Sequence, residues 1–321
     1  MSSSSPRSAL AVQVAGLSFQ NPIVLAAGTA AYGRELADVV NLRALGGLVT
    51  KAVSPQPRAG APAPRVAEFA GGMINAVGLA NPGVEAVRRE HLPWLATALP
   101  EVRKIANIVG FTIEEFAGVV EQLEGAVAAD GESAGALDAY ELNVSCPNVK
   151  AGGAEFGADP AALADVVRRA RAATRRPLFV KLSPTLPDIA RSAAIAVDAG
   201  ADALTLVNTI PGLVIDVARR QPALGFGTGG VSGAGLLPVG VLATWKVRKV
   251  VHVPLLGLGG VATADDALQY LIAGASLVGI GTAMLRDPRV PERVVKGLAR
   301  WCDADGVARL SDIVGTLTVP S

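Results

Sequence analysis

The chain has 321 residues, half of them hydrophobic, and 29 basic against 28 acidic residues leave a net charge of +1. That balance excludes the cationic footprint of a nucleic-acid or anionic-membrane binder, and no uninterrupted apolar run of ~18 residues is present to span a bilayer. The two cysteines, Cys146 and Cys302, show no disulfide framework and no Cys-x-x-Cys spacing for zinc or an iron–sulfur centre.

Residues 1–8 are polar and Ser-rich, without the apolar core of a secretory signal, so the expected compartment is the cytosol. Segment 12–19 partly alternates and is expected to form a hairpin closing the bottom of the fold. Short apolar strands are then expected at 22–27, 47–51, 104–109, 139–144, 177–182, 203–207, 253–258 and 275–280, each leaving through Gly, Asn, Ser, Thr or Lys. Helical patterns fill the gaps at 35–45, 84–99, 113–128, 160–175, 187–199, 236–250, 263–273 and 288–301. Asp159-Pro160 reads as an N-cap followed by proline at the first helical position, and Thr263-Ala-Asp-Asp266 as a capping box with Asp in place of Glu. Gly200 and Gly274 mark helix ends. Eight β/α alternations point to a closed (β/α)8 TIM barrel, an α/β fold, organised as one domain over 1–321. Two Pro- and Gly-rich connections, 52–82 and 209–235, are too long for simple turns and are expected to wall the C-terminal mouth of the barrel.

The mouth of such a barrel is where ligands gather. Strand exits bring Lys51, Asn107, Asn143, Lys181, Asn208 and Thr209 there, and only seven of the 29 basic residues are lysines. A lysine held at a barrel mouth calls for a negative partner, whereas one snorkelling to solvent calls for none. In Glu141-Leu-Asn-Val-Ser-Cys-Pro-Asn-Val-Lys150, Cys146 lies between Asn143 and Asn148 at a strand-to-loop break. A lone cysteine there is ordinarily a small packed residue. But His91 falls on a helical stretch, His252 precedes the seventh strand at the opposite end, and no carboxylate emerges at a strand exit. Cys146 is therefore the candidate general base, its thiol needing activation to act near neutral pH.

The last two strands end in Leu258-Gly-Gly-Val261 and Ile280-Gly-Thr-Ala283, the usual place for a phosphate in a barrel. Gly229-Gly-Val-Ser-Gly233 adds backbone donors. By letters, Gly225-Phe-Gly-Thr-Gly-Gly230 and Gly257-Leu-Gly-Gly-Val-Ala262 fit dinucleotide fingerprints, but one lies inside a long loop and the other lacks the acidic residue further on.

Asn143-Val-Ser-Cys-Pro-Asn-Val-Lys150 resembles the catalytic signature of class 1 dihydroorotate dehydrogenases, FMN-dependent barrels of pyrimidine biosynthesis. Asn21-Pro-Ile-Val-Leu-Ala-Ala-Gly-Thr29, Gly72-Met-Ile-Asn-Ala-Val-Gly-Leu-Ala-Asn-Pro-Gly83, Val180-Lys-Leu-Ser-Pro184, Asn208-Thr209, Thr228-Gly-Gly-Val-Ser-Gly233, Gly257-Leu-Gly-Gly260 and Gly279-Ile-Gly-Thr282 follow that family's pattern in order. The resemblance implies that the FMN phosphate lies at Gly233, Gly259, Gly260, Gly281 and Thr282. It implies further flavin contacts from Lys51, Asn107, Asn143 and Lys181, and from the chain at Ala27, Ala52 and Val207. The pyrimidine substrate would be held by Lys51, Asn75, Ala76, Val77, Gly78, Leu79, Asn143, Asn148, Asn208 and Thr209. Cys146 would take the C5 proton as a hydride leaves C6. The chain departs from the family pattern at Ala61, in Gly60-Ala61-Pro62, and at Ala234, in Val231-Ser-Gly-Ala234.

A cysteine base resembles class 1 rather than the membrane-associated class, whose base is serine. The continuation Val149-Lys-Ala-Gly-Gly153 is similar to type 1B, which passes electrons to NAD through an FAD- and 2Fe-2S-containing partner subunit. That type implies a homodimeric core within a heterotetramer. Type 1A, which uses fumarate directly, and a flavin-free barrel lyase or isomerase that binds phosphate at the same glycines stay open at this point.

Overall fold

The computed structural model describes residues 9–129, 133–145 and 156–319. Strands β1 (Val12–Val14) and β2 (Leu17–Phe19) pair antiparallel around Ala15-Gly16, both with positive φ, as a two-residue hairpin requires. Val12, Val14 and Phe19 pack with Val24, Ile105, Phe179 and Leu256, so the hairpin plugs the barrel floor.

The remaining strands are, in chain order, β3 (Ile23–Leu25), β4 (Gly47–Val49), β5 (Val66–Phe69), β6 (Gly72–Asn75), β7 (Arg103–Ile108), β8 (Ala139–Asn143), β9 (Leu178–Leu182), β10 (Ala203–Leu206), β11 (Ile210–Gly212), β12 (Ile215–Asp216), β13 (Gln221–Pro222), β14 (Gly229–Ser232), β15 (Leu255–Leu258) and β16 (Leu277–Ile280). Eight of them close a parallel barrel in the order β10-β15-β16-β3-β4-β7-β8-β9. These are the eight expected strands. Both faces of each are covered, which is why they read as nearly continuous apolar runs. Alternate side chains divide between the two faces: Leu178, Val180 and Leu182 join the shell beneath the helices, whereas Phe179 lies with the plug residues inside.

The expected caps form. Asp159 Oδ1 accepts from the Ala161 and Ala162 amides at 2.8 and 3.0 Å, Thr263 and Asp266 make the reciprocal capping box, and Gly274 ends its helix in the left-handed region.

Two expectations are corrected. Segment 35–45 is not a helix but two 3-10 turns, Arg34–Leu36 and Leu42–Ala44. Asn41 leaves helical space with ψ 77°, and the amides of Gln20 and Asn21 take the carbonyls of Arg43, Leu45 and Ala44. The helix expected over 84–99 contains a π turn at Val87–His91, just before Pro93, which has no N–H for the regular ladder. As expected, the long connections wall the mouth, and they do so as a four-stranded antiparallel sheet, β11-β14-β6-β5. Its glycines permit close backbone approach, since a Cβ on Gly230 would lie 2.1 Å from Thr209 Oγ1.

Candidate active site

The ends of the barrel strands and the overlying sheet enclose a cavity of about 630 Å³. Every expected site residue within the described ranges lines it. Lys51 follows β4, Asn107 lies in β7, Asn143 ends β8, Lys181 lies in β9, and Val207, Asn208 and Thr209 follow β10. Ala27 and Ala52 complete this wall. From above come Asn75, at the end of β6, and the turn Ala76, Val77, Gly78 and Leu79. Gly233, Gly259, Gly260, Gly281 and Thr282 gather at one side. Cys146 and Asn148 lie outside the described residues.

Among the described lining residues there are two ammonium groups, Lys51 and Lys181, and no carboxylate. Lys181 is buried, and neither lysine has an ion-pair partner among the described residues. Such a cavity favours an anion, because a buried cation without a counter-charge is costly.

The glycine side is built for close approach. Gly260 has φ 76°, and a Cβ there would meet the Leu237 amide nitrogen at 2.5 Å. That amide opens the helix Leu237–Arg248 and already donates to the Ala234 carbonyl, so only a residue without a Cβ fits at 260 against the start of this helix. Thr282 Oγ1 donates to Ser232 Oγ at 2.7 Å, joining the exit of β16 to β14. A phosphate fits this cradle.

The amide wall is held by residues that sequence reading did not single out. Asn208 Nδ2 donates to Ser145 Oγ at 2.8 Å, and the Thr209 amide donates to Asn208 Oδ1 at 2.8 Å. Asn107 Nδ2 donates to Glu141 Oε1 at 2.7 Å, and Thr205 Oγ1 donates to Glu141 Oε2 at 2.7 Å. Period-two alternation in β8 would have placed Glu141 on the same inward face as Asn143. Asn81 secures the turn above the cavity, donating to the Leu79 carbonyl at 2.8 Å and accepting from the Gly83 amide at 2.9 Å. At the departure from the family pattern, the Ala61 amide donates to the Val77 carbonyl at 3.1 Å, so a backbone contact secures this part of the turn. Tyr32 donates to the Ala52 carbonyl at 3.0 Å. Burial, with Glu35 adding to it, pushes its hydroxyl above the ordinary phenol range, so it remains a donor.

His91 stacks on Tyr32 with centroids 4.1 Å apart, outside the cavity, and His252 precedes β15 at the far end of the barrel. The described residues contain no group of three or more His, Cys, Asp or Glu arranged to hold a metal ion, and no helix among them is long and apolar enough to cross a membrane.

A family model described as dihydroorotate dehydrogenase matches residues 9–301. A protein of Pelobacter propionicus named dihydroorotate dehydrogenase B (NAD(+)), catalytic subunit, is 46% identical over 308 residues, covering 96% of this chain and 98% of its own length. Proteins of the same name from Geotalea uraniireducens and Desulforudis audaxviator are 42% and 46% identical, over 96% and 95% of this chain and 98% and 96% of theirs. The fold is that of a crystal structure of DHODH from Eimeria tenella in complex with ferulenol, with a TM-score of 0.79 and 24% identity, over 96% of this chain and 88% of that one. With a family model spanning most of its length and relatives this similar over nearly all of theirs, the chain belongs to the dihydroorotate dehydrogenase family.

Proposed function

We propose that this chain is the catalytic subunit of an NAD-linked dihydroorotate dehydrogenase, oxidising dihydroorotate to orotate in the making of UMP, and that its cofactor is FMN. The observation that carries the reading is a cavity with two lysines, a wall of carboxamides and no carboxylate among its described lining residues. Dihydroorotate is an anionic imide, and such a wall offers its ring both donors and acceptors.

In this reading Gly233, Gly259, Gly260, Gly281 and Thr282 hold the phosphate at their own backbone N–H groups, and the absence of a Cβ at Gly260 keeps that side of the cradle close to the chain at Leu237. Lys181, Asn107 and Asn143, with the chain at Ala27, Ala52 and Val207, border the flavin ring. FMN, when bound, supplies the acceptor for the hydride that leaves C6 of the substrate. Lys51 lies between cofactor and substrate. Asn75 to Leu79 cover the substrate, while Asn143, Asn208 and Thr209 meet its ring, joined by Asn148. Cys146 removes the C5 proton as general base.

We further read the whole chain as one FMN-binding barrel of the cytoplasm, whose electrons leave through a separate subunit carrying FAD and a 2Fe-2S cluster. The relatives' name, catalytic subunit, supports a second subunit. So does the rim of the cavity, where Val66, Phe226 and Leu285 are exposed large apolar residues. The NAD in the relatives' name favours this route over fumarate. The isolated chain, loaded with FMN, should turn over NAD poorly with dihydroorotate, and adding the partner subunit should restore NAD reduction. Rapid NAD turnover by the isolated chain would overturn the partner reading, and brisk fumarate turnover would point to the direct acceptor.

A further inference from the structure

Glu141 is almost fully buried, in the middle of β8, with the plug residues Ala139, Phe179 and Ala203 on one side and the cavity residue Asn143 on the other. It sits opposite Asn107 in the β7–β8 register, and it reaches past β9 to Thr205 of β10. Oxygen Oε1 accepts from Asn107 Nδ2 and Oε2 accepts from Thr205 Oγ1, each at 2.7 Å. A carboxyl group buried in a barrel interior is costly unless it is hydrogen-bonded, and an apolar residue would fill this layer at lower cost. Something other than packing accounts for it.

The consequence lies in Asn107. A carboxylate can only accept hydrogen bonds, so the –NH₂ end of the Asn107 amide must face Glu141. Its Oδ1 is then directed away from Glu141, and among the described residues no donor reaches that oxygen. Asn107 lines the cavity while being itself about 1% exposed. An unpartnered acceptor is therefore presented to the cavity in a single orientation. Without Glu141 the amide would be free to turn over and present a donor instead.

We propose that Glu141 is a positioning residue. It locks the Asn107 carboxamide so that an acceptor, not a donor, meets an N–H of the ring system bound there. This rests on the reading of the cavity as a flavin site, and it adds a residue that never touches the cofactor. Thr205 completes the lock by saturating the second carboxylate oxygen.

Two sets of variants test it, read out as the FMN dissociation constant from the fluorescence of released flavin. Glu141→Gln can keep its oxygen on Asn107 while its –NH₂ donates to Thr205, whose hydroxyl turns to accept, so FMN should be retained within about threefold of the parent. Glu141→Met fills the space without an acceptor and should weaken FMN about tenfold, as expected for losing a buried hydrogen-bond partner. The second set swaps the pair. Asn107→Asp sets two carboxylates against each other and should lose FMN at least tenfold, and adding Glu141→Gln should recover most of that loss, because the acid and the amide have exchanged places. The swap decides the matter if Glu141→Met does not fold. FMN binding unchanged in Glu141→Met, or no recovery in the swap, overturns the proposal. A parent chain that binds no flavin overturns the flavin reading and this proposal with it.

Discussion

Asn208 Nδ2 donates to Ser145 Oγ at 2.8 Å, tying the exit of the sixth barrel strand to the exit of the fourth. Asn208 lines the cavity, and Ser145 immediately precedes Cys146. Ser145→Ala removes the anchor and leaves the Asn208 amide with weaker partners. A lost neutral hydrogen bond corresponds to roughly 3- to 10-fold in binding. Steady-state kinetics should show KM for dihydroorotate rising by about that factor with FMN content unchanged. An unaltered KM would remove Asn208 from the substrate wall.

Replacing Cys146 separates binding from chemistry. Cys146→Ala should retain FMN yet reduce it with dihydroorotate about 10²–10⁴-fold more slowly, the usual cost of losing a positioned base. Stopped-flow absorbance of the flavin measures this directly. Cys146→Ser should recover activity as pH rises, because a hydroxyl yields its proton less readily than a thiol.

The two cavity lysines should fail differently. Lys181 is buried in β9, so Lys181→Ala should purify paler, with a lower flavin-to-protein ratio. Lys51 is half-buried, two residues past β4, and Lys51→Ala should chiefly weaken dihydroorotate binding. Equal colour and equal substrate affinity in both variants would remove both roles.

His91 carries a pH dependence of stability. Burial, the main cause, holds its imidazole below the ordinary value, partly offset by Glu35 and Glu90. The folded chain therefore favours the neutral ring that stacks on Tyr32. A folded value below the unfolded one means that the stabilisation is complete above the unfolded value of about 6.5 and is lost as pH falls through the folded value. His91→Phe keeps a ring against Tyr32, so its melting temperature should fall less steeply than the parent's between neutral pH and about pH 5. Parallel slopes would show that His91 does not titrate with unfolding.

The barrel is legible in the sequence because each strand is an apolar run covered on both faces, and each ends in a polar residue or glycine that the mouth requires. The sheet over the mouth is not legible in the same way. Gly72, Gly229 and Gly230 are ladder residues, but glycine reads locally as a turn, and only the close approach of another chain segment explains its use in a strand. Segment 35–45 has helical periodicity, but the amides of Gln20 and Asn21, over twenty residues away, bind its carbonyls, which a local pattern cannot foresee. In the site, residues at strand exits are visible from strand boundaries alone. Glu141 is hidden because it sits two positions before its exit, where a carboxylate makes sense only once Asn107 and Thr205 converge on it.

This cavity is proposed to pass a hydride from dihydroorotate to a bound flavin. Anaerobic titration of the purified, FMN-loaded chain with dihydroorotate, followed by the visible absorbance of the flavin, tests it most directly. The yellow colour should bleach stoichiometrically in the parent chain and far more slowly in Cys146→Ala. A yellow protein that does not bleach with dihydroorotate would contradict it.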